Sequence, residues 1–273
     1  MKPTSAELLA TVRAPHRSVS RALVLPVTQL QDHTSCPRRY HLAHQVGLTE
    51  RHGATTESPE STEEGDARAR GVAAHRILEL LPLDALGTPR LNAVLKAIRH
   101  TEGLDSLVTD DVLGWLENFC RTPFARELPR HTVHRELPFA LRVESSDSRV
   151  ALVLRGQIDL LVETTGELVV IDYKTSALPP SGLEPWRAQL ASYAIAARRL
   201  SRRALPVRAG IVFLRDPNPE PRFLEPLEWA ALETTLLTDA AALERSQRTG
   251  VWESRPRAFC ESIGCGYVYR CHP

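Results

Sequence analysis

Lysine is almost absent from this chain. Among 34 Lys+Arg residues in 273, lysine stands only at Lys2, Lys96 and Lys174, so nearly all the positive charge is arginine. Arginine is always protonated and cannot move a proton, whereas lysine has a compact charge whose pKa shifts with its surroundings. Long apolar runs are absent too: none approaches the roughly 18 residues of a membrane helix, and no secretory leader pattern opens the sequence. We therefore expect a cytoplasmic chain with no membrane association. The G-x-x-x-x-G-K-[ST] phosphate loop is missing, which excludes a motor of that kind, and there is no internal repeat. Nor is there an excess of one charge. The formal net charge is +1, so bulk charge does not select a polyanionic partner. The basic residues gather locally, at Arg198, Arg199, Arg202, Arg203 and Arg208 and at Arg38 with Arg39, which gives weak support for a nucleic-acid surface.

What is present is an ordinary globular composition, 42% hydrophobic and 25% charged, long enough for one large domain or one domain with an insertion. Its centre is Val169-Val-Ile-Asp-Tyr-Lys-Thr-Ser176. The preceding segment, Leu152 to Glu163, is also rich in branched apolar residues, and Thr164-Thr-Gly-Glu167 parts the two. The pattern predicts a hairpin with a four-residue loop. With Glu163 and Leu168 flanking the turn, Asp159 lies opposite Asp172, their Cβ atoms about 4.5–5.5 Å apart. Alternation puts Asp172 and Lys174 on one face and Tyr173 on the other. Two carboxylates that close repel unless a proton or a cation lies between them. A divalent metal resolves this, and hard oxygen ligands suit Mg²⁺ or Mn²⁺. The plain alternative is a surface hairpin with an exposed ion pair.

Before the hairpin, residues 1–26 form a tail or linker without periodicity. Val27 to Tyr40 reads as a short helix capped by Thr28, a break at Pro37, and a further helix to His44. Thr49 to Asp66 is a polar loop. Ala67 to Leu80 is helical, with Val72, Ile77 and Leu80 apolar and His75 among them, and residues from about 81 to 130 form a helical insertion in which Cys120 is a core thiol. Thr132 to Val143 is a strand that Pro138 places at an edge or bulge. Glu136 on it is either a further carboxylate of the site or an exposed strand residue. After a Pro-rich loop at Leu178 to Ser181 comes a helix, Leu183 to Leu200, with Gln189 and Tyr193 four apart on one face. Val207 to Leu214 is a strand that completes a crossover, and Glu225 to Gln247 is one long helix stopped at Gly250.

Gly156-Gln-Ile-Asp-Leu-Leu161 followed by Val169-Val-Ile-Asp-Tyr-Lys-Thr-Ser176 resembles the core of the PD-(D/E)XK nuclease superfamily, in particular the RecB and AddB type domains and related CRISPR adaptation nucleases. Three further stretches are similar to motifs of that family: Cys36-Pro-Arg-Arg-Tyr40, Gly71-Val-Ala-Ala-His75-Arg-Ile-Leu-Glu79, and Gln189 with Tyr193. The resemblance spans about Val27 to Cys271 and implies an α/β fold with a mixed sheet, in the order helix, three strands, helix, strand, as one nuclease domain over 27–273. It implies a metal site of His75, Asp159, Asp172 and the Tyr173 carbonyl, a water-orienting Lys174, and Gln189 and Tyr193 touching DNA or supporting the site. The plainer role for His75 is that of a structural histidine, and for Gln189 and Tyr193 that of an amphipathic helix face. The implied activity is metal-dependent hydrolysis of DNA, as an exonuclease of repair or recombination beside a UvrD- or AddA-type helicase. CRISPR spacer processing and a non-catalytic role in binding DNA are the alternatives.

Three of the five cysteines, Cys260, Cys265 and Cys271, fall in the last fourteen residues. For a chain without a leader a thiolate metal site explains them better than disulfides. The resemblance, to nuclease domains of an iron-sulfur subclass, supplies Cys36 as the fourth ligand of a 4Fe-4S cluster, although the four-residue gap between Cys260 and Cys265 departs from the family spacing. Zinc is the alternative for four thiolates. Either metal would staple the chain ends, so Cys36→Ala is expected to be unstable or insoluble.

Overall fold

Val150–Glu163 is rich in branched apolar residues and forms the longest strand described, β3, around which the sheet is assembled. The computed structural model describes residues 21–50, 59–143, 150–179, 182–201, 203–224 and 229–273. In chain order these hold β1 (Arg21–Pro26), α1 (Val27–Ser35), α2 (Pro37–Tyr40) running into a π-turn, α3 (Pro59–Leu80), α4 (Leu91–Thr101), α5 (Asp110–Cys120) and α6 (Pro123–Glu127). There follow β2 (Thr132–Val143), β3, β4 (Leu168–Lys174), α7 (Arg187–Leu200), β5 (Val207–Phe213), β6 (Arg222–Phe223), α8 (Trp229–Thr249), α9 (Arg257–Ser262) and α10 (Val268–Cys271). The expected succession of helix, three strands, helix and strand is α3, β2 to β4, α7 and β5, in a mixed six-stranded sheet.

β2 runs antiparallel along one side of β3. Two strands share the other side: β1 lies parallel to residues 150–155, and β4 antiparallel to residues 160–163. Residues 156–159 of β3 pair with neither, so the sheet opens there. One apolar layer lies between the sheet and α3, α5 and α6, with Ile77, Leu116, Phe119, Leu160, Ile171 and Tyr173 inside it. The other, toward α1, α7 and α8, holds Leu30, Leu154, Ile158, Tyr193 and Leu243. Each such aliphatic side chain, fully buried, contributes about 1.5–3 kcal/mol.

Some expectations need correction. The last six residues of the supposed tail are β1, a strand of the sheet, so the boundary at residue 26 falls at a strand end. Pro26, lacking an N–H, ends the pairing and precedes α1 with no side-chain cap, so Thr28 caps nothing. The polar loop is shorter than expected, because α3 begins at Pro59. Val72 is two-thirds exposed (66%) and belongs to the surface, not the core. Residues 1–20, 51–58, 180–181, 202 and 225–228, which include parts of the tail, the two loops, the arginine group and the start of α8, lie outside the described residues. Among the described residues no helix is long and apolar enough to cross a membrane.

Candidate metal centre

The β3–β4 turn fixes the register as its sequence requires. Glu163 pairs with Leu168, and the ladder continues to Leu160 with Ile171. It stops one row before Asp159 and Asp172. In place of the next ladder bond, the Tyr173 N–H donates to Asp159 Oδ2 at 2.7 Å. The strands thus part where their two carboxylates meet.

The same row is irregular on the other side of β3. Arg135 pairs with Leu160 and Leu137 with Ile158, but the pair between them, Glu136 with Asp159, is skipped. Glu136 has φ 46°, the one non-glycine residue with positive φ among those described, a conformation that costs about 1–2 kcal/mol. Both strands change face here. Ile158 packs in the layer toward α7 and Leu160 in the layer toward α3, although residues two apart on a regular strand share a face. Leu137 and Val133 divide the same way.

This break brings the site together. His75, on α3, reaches across to Glu136 (Nδ1 to Oε1, 3.5 Å) and Asp159 (Nδ1 to Oδ2, 3.6 Å). Its Nε2 is 3.1 Å from the Tyr173 carbonyl. On the opposite side, Gln189 Nε2 donates to Asp172 Oδ1 at 2.9 Å and to the Tyr193 hydroxyl at 2.9 Å. Lys174 Nζ is 2.8 Å from Asp172 Oδ2. The ammonium is the partner of this buried oxygen, and its charge and hydrogen bond both favour the carboxylate form. Every residue expected at the site, Glu136 included, is therefore gathered within one side-chain layer of Asp159 and Asp172.

Electrostatics show what the cluster lacks. Burial, then the charge of Asp172, push the Asp159 carboxyl up to about 7, against the lowering effect of His75 and the Tyr173 N–H. Asp172 is also raised, burial outweighing the pull of Lys174 and His75. For His75 burial acts downward, but Glu136, Asp159 and Asp172 outweigh it and raise the imidazole. Protons thus hold together acids that would otherwise repel. A divalent cation fits the same place: the ligand atoms of His75, Glu136 and Asp159 lie within 4.8 Å of one another, with Asp172 on the neighbouring strand. Three carboxylates, a carbonyl and one imidazole are a hard, oxygen-rich set suited to Mg²⁺ or Mn²⁺. A cleft of about 310 Å³, lined by Gly71, Val72, His75, Glu136 and Gln157 among others, gives access from solvent.

The arginine group is a different matter. Arg199 pairs with Glu233 at 2.8 Å, Arg208 with Glu167 at 3.0 Å, and Arg203 donates to the carbonyls of Thr164 and Thr165. Arg39 is held by Glu50. These guanidinium groups fasten one element to another while remaining partly exposed.

All five cysteines are free thiols. Cys120 is fully buried in the insertion, and burial pushes its thiol up to about 12. Cys260 and Cys265 lie with Leu42 and Tyr267 in a small apolar cluster against which Cys271 packs. Cys36 is buried at the break between α1 and α2. Hydrogen bonds join the two ends around them: Arg38 N–H to the Glu253 carbonyl (3.0 Å), Arg255 Nε to the Ser35 carbonyl (2.8 Å), and Gly266 N–H to Glu50 Oε1 (3.0 Å). Among the described residues, no three of these sulfurs come within 4.8 Å of one another.

A model of the PD-(D/E)XK nuclease superfamily matches residues 25–272. The chain belongs to that superfamily. Among curated relatives, an ATP-dependent helicase/nuclease subunit of Streptococcus sanguinis is 29% identical over 133 residues, 47% of this chain and 11% of that one. The protein of the same name from Desulforamulus reducens is 28% identical over 162 residues, 53% of this chain and 13% of the relative. The match thus spans little more than a tenth of their length. A solved structure from Eubacterium rectale overlays with a TM-score of 0.47 at 12% identity, covering 93% of this chain and 90% of that one.

Within this PD-(D/E)XK domain, three residues to which the sequence assigned no role serve the site. Arg135 Nη1 donates to the Glu79 carbonyl at 2.9 Å and to the Leu81 carbonyl, tying the end of the His75 helix to the strand beside Glu136. Gly156 leaves room for the Phe139 ring, which a Cβ would meet at 2.5 Å, and that ring packs edge-on against Tyr193. Gln157 Nε2 donates to the Glu136 carbonyl at 3.1 Å. An arginine in a strand that leads into the core was the one available signal, for Arg135. The roles of Gly156 and Gln157 depend on the break in β2.

Proposed function

We propose that this chain is a metal-dependent deoxyribonuclease that hydrolyses phosphodiester bonds, acting as an exonuclease in DNA repair or recombination. The observation that carries the reading is the approach of His75 to Glu136 and Asp159, with Asp172 and its Lys174 contact on the neighbouring strand. Asp159, Asp172, His75 and the Tyr173 carbonyl would hold Mg²⁺ or Mn²⁺, with Glu136 as a further oxygen ligand. The bound metal supplies Lewis-acid polarisation of the scissile phosphate and a water of lowered pKa. Lys174 orients that water for in-line attack. Gln189 fixes the rotamer of Asp172 and is itself steadied by Tyr193, so these two residues preserve the geometry from behind.

The helicase/nuclease relatives support a partnership with a UvrD- or AddA-type helicase, as a separate protein or as a neighbouring domain. Cleavage of linear single- or double-stranded DNA should require added Mg²⁺ or Mn²⁺ and be absent with EDTA and in Asp172→Ala. No cleavage by folded protein, with or without a helicase partner, would favour a role in binding DNA without cutting it.

For the four cysteines we propose a 4Fe-4S cluster. The preference for iron-sulfur over zinc rests on the family resemblance, since four thiolates can hold either metal. Protein purified without oxygen should carry iron and sulfide in equal amounts and absorb visible light. Cys36→Ala should lose both and precipitate; zinc in the native protein would overturn the assignment.

A further inference from the structure

The left-handed peptide of Glu136 needs an explanation, because nothing in its own side chain favours it. Asparagine, aspartate or glycine adopt positive φ readily; glutamate does not. Skipping one ladder pair also leaves the backbone groups of that row to find other partners. The Glu136 carbonyl finds one in Gln157 Nε2, at 3.1 Å, from the strand opposite. Gln157 is exposed and lines the same cleft as His75 and Glu136. It is two residues before Asp159, at the stretch of β3 that pairs with neither β1 nor β4.

We infer that Gln157 is a positioning residue that holds the Glu136 peptide in its left-handed turn and so aims the Glu136 carboxylate at His75 and the metal. This rests on the metal-site reading proposed above. The geometry has one consequence for Glu136. In the register of β2 it stands opposite Asp159, in the pair that the ladder skips, and with the turn in place Oε1 comes 3.5 Å from His75 Nδ1. Without the Gln157 amide, the carbonyl could return to the ladder or to water, and the carboxylate would swing away from the site. The role belongs to an amide donor of this length. Methionine has the same length and no donor.

The test is a calorimetric titration of the full chain with Mn²⁺, using wild type, Gln157→Met, Glu136→Gln, the double variant and Asp159→Asn. Gln157→Met should weaken Mn²⁺ binding about tenfold, as loss of an outer hydrogen bond to a metal ligand does. In the Glu136→Gln background the same change should add less than about twofold, because the residue it positions is already disabled. The metal-free melting temperature should stay within about 2 °C of wild type, as expected for an exposed side chain. An unchanged Mn²⁺ affinity in Gln157→Met overturns the inference, and so does a tenfold loss that persists in the Glu136→Gln background. Failure of the underlying reading looks different: wild type would then bind no Mn²⁺ that Asp159→Asn removes.

Discussion

Asp159→Asn should melt at a higher temperature than wild type when both are metal-free at pH 8, even though the same change should abolish cleavage. The reason lies in the direction of the titration. In the unfolded chain this carboxyl titrates near 3.8, and in the folded site near 7. Between those values the folded state holds the proton more tightly, so stability falls as pH rises from about 4 to about 7 and stays low above it. His75, also raised, adds to the same slope: it is charged and paired at low pH and loses that pairing as pH rises through its folded pKa. At about 1.4 kcal/mol for each pH unit separating the two values, the buried Asp159 charge costs up to about 4 kcal/mol at pH 8. Asparagine keeps an oxygen for the Tyr173 N–H and never ionises. We expect a gain of roughly 5 °C, shrinking as pH falls below about 7 and gone near pH 4. Mg²⁺ should stabilise wild type strongly at pH 8 and weakly at pH 5.5, where protons occupy the acids, and should not stabilise the variant. A lower melting temperature for the variant at pH 8 would mean that the carboxylate supports the metal-free fold. Differential scanning calorimetry across pH decides between them.

Lys174→Met should reduce cleavage by about 10³-fold or more, the range seen when a group acting on the reacting proton or water is lost. Two effects combine. The ammonium that orients the water disappears, and Asp172 loses the cation 2.8 Å away. Burial already raises Asp172 and Lys174 acts against it, so removing the lysine drives the carboxyl higher still. Metal binding by the variant should therefore shift to higher pH than in wild type. Lys174→Arg separates the two effects. A guanidinium can neutralise Asp172 and return metal binding toward its normal pH range, but it cannot tune its own proton or occupy the same compact position. It should bind metal and still fail to cleave. Full activity in Lys174→Arg would show that charge alone suffices there.

The hairpin was legible because a four-residue turn and a two-residue alternation determine a register between them, and Asp159, Asp172 and Lys174 follow from it. His75, Gln189 and Tyr193 needed the family resemblance, since their helices meet the hairpin only through tertiary packing. The break at Glu136 was not legible. Nothing in Arg-Glu-Leu announces a left-handed residue, and the cause lies on another strand, in Gln157. Nor was β1, whose six residues acquire meaning only from Val150 and its successors. For the arginine group, the sequence shows the guanidinium groups but not Glu167, Glu233 and the turn carbonyls that hold three of them.

That pairing of Arg21 with Val150 across about 130 residues also governs how the molecule comes into being. A strand that emerges early from the ribosome must wait for its neighbour until the whole helical insertion and β2 have been made. Meanwhile Leu23 and Leu25 have no core to enter, and contacts so distant in sequence form slowly. Leu91, Leu95 and Leu116 of the insertion share one core with Leu160 and Ile171, so the helices on that side, like β1, complete their packing only once β3 and β4 are present.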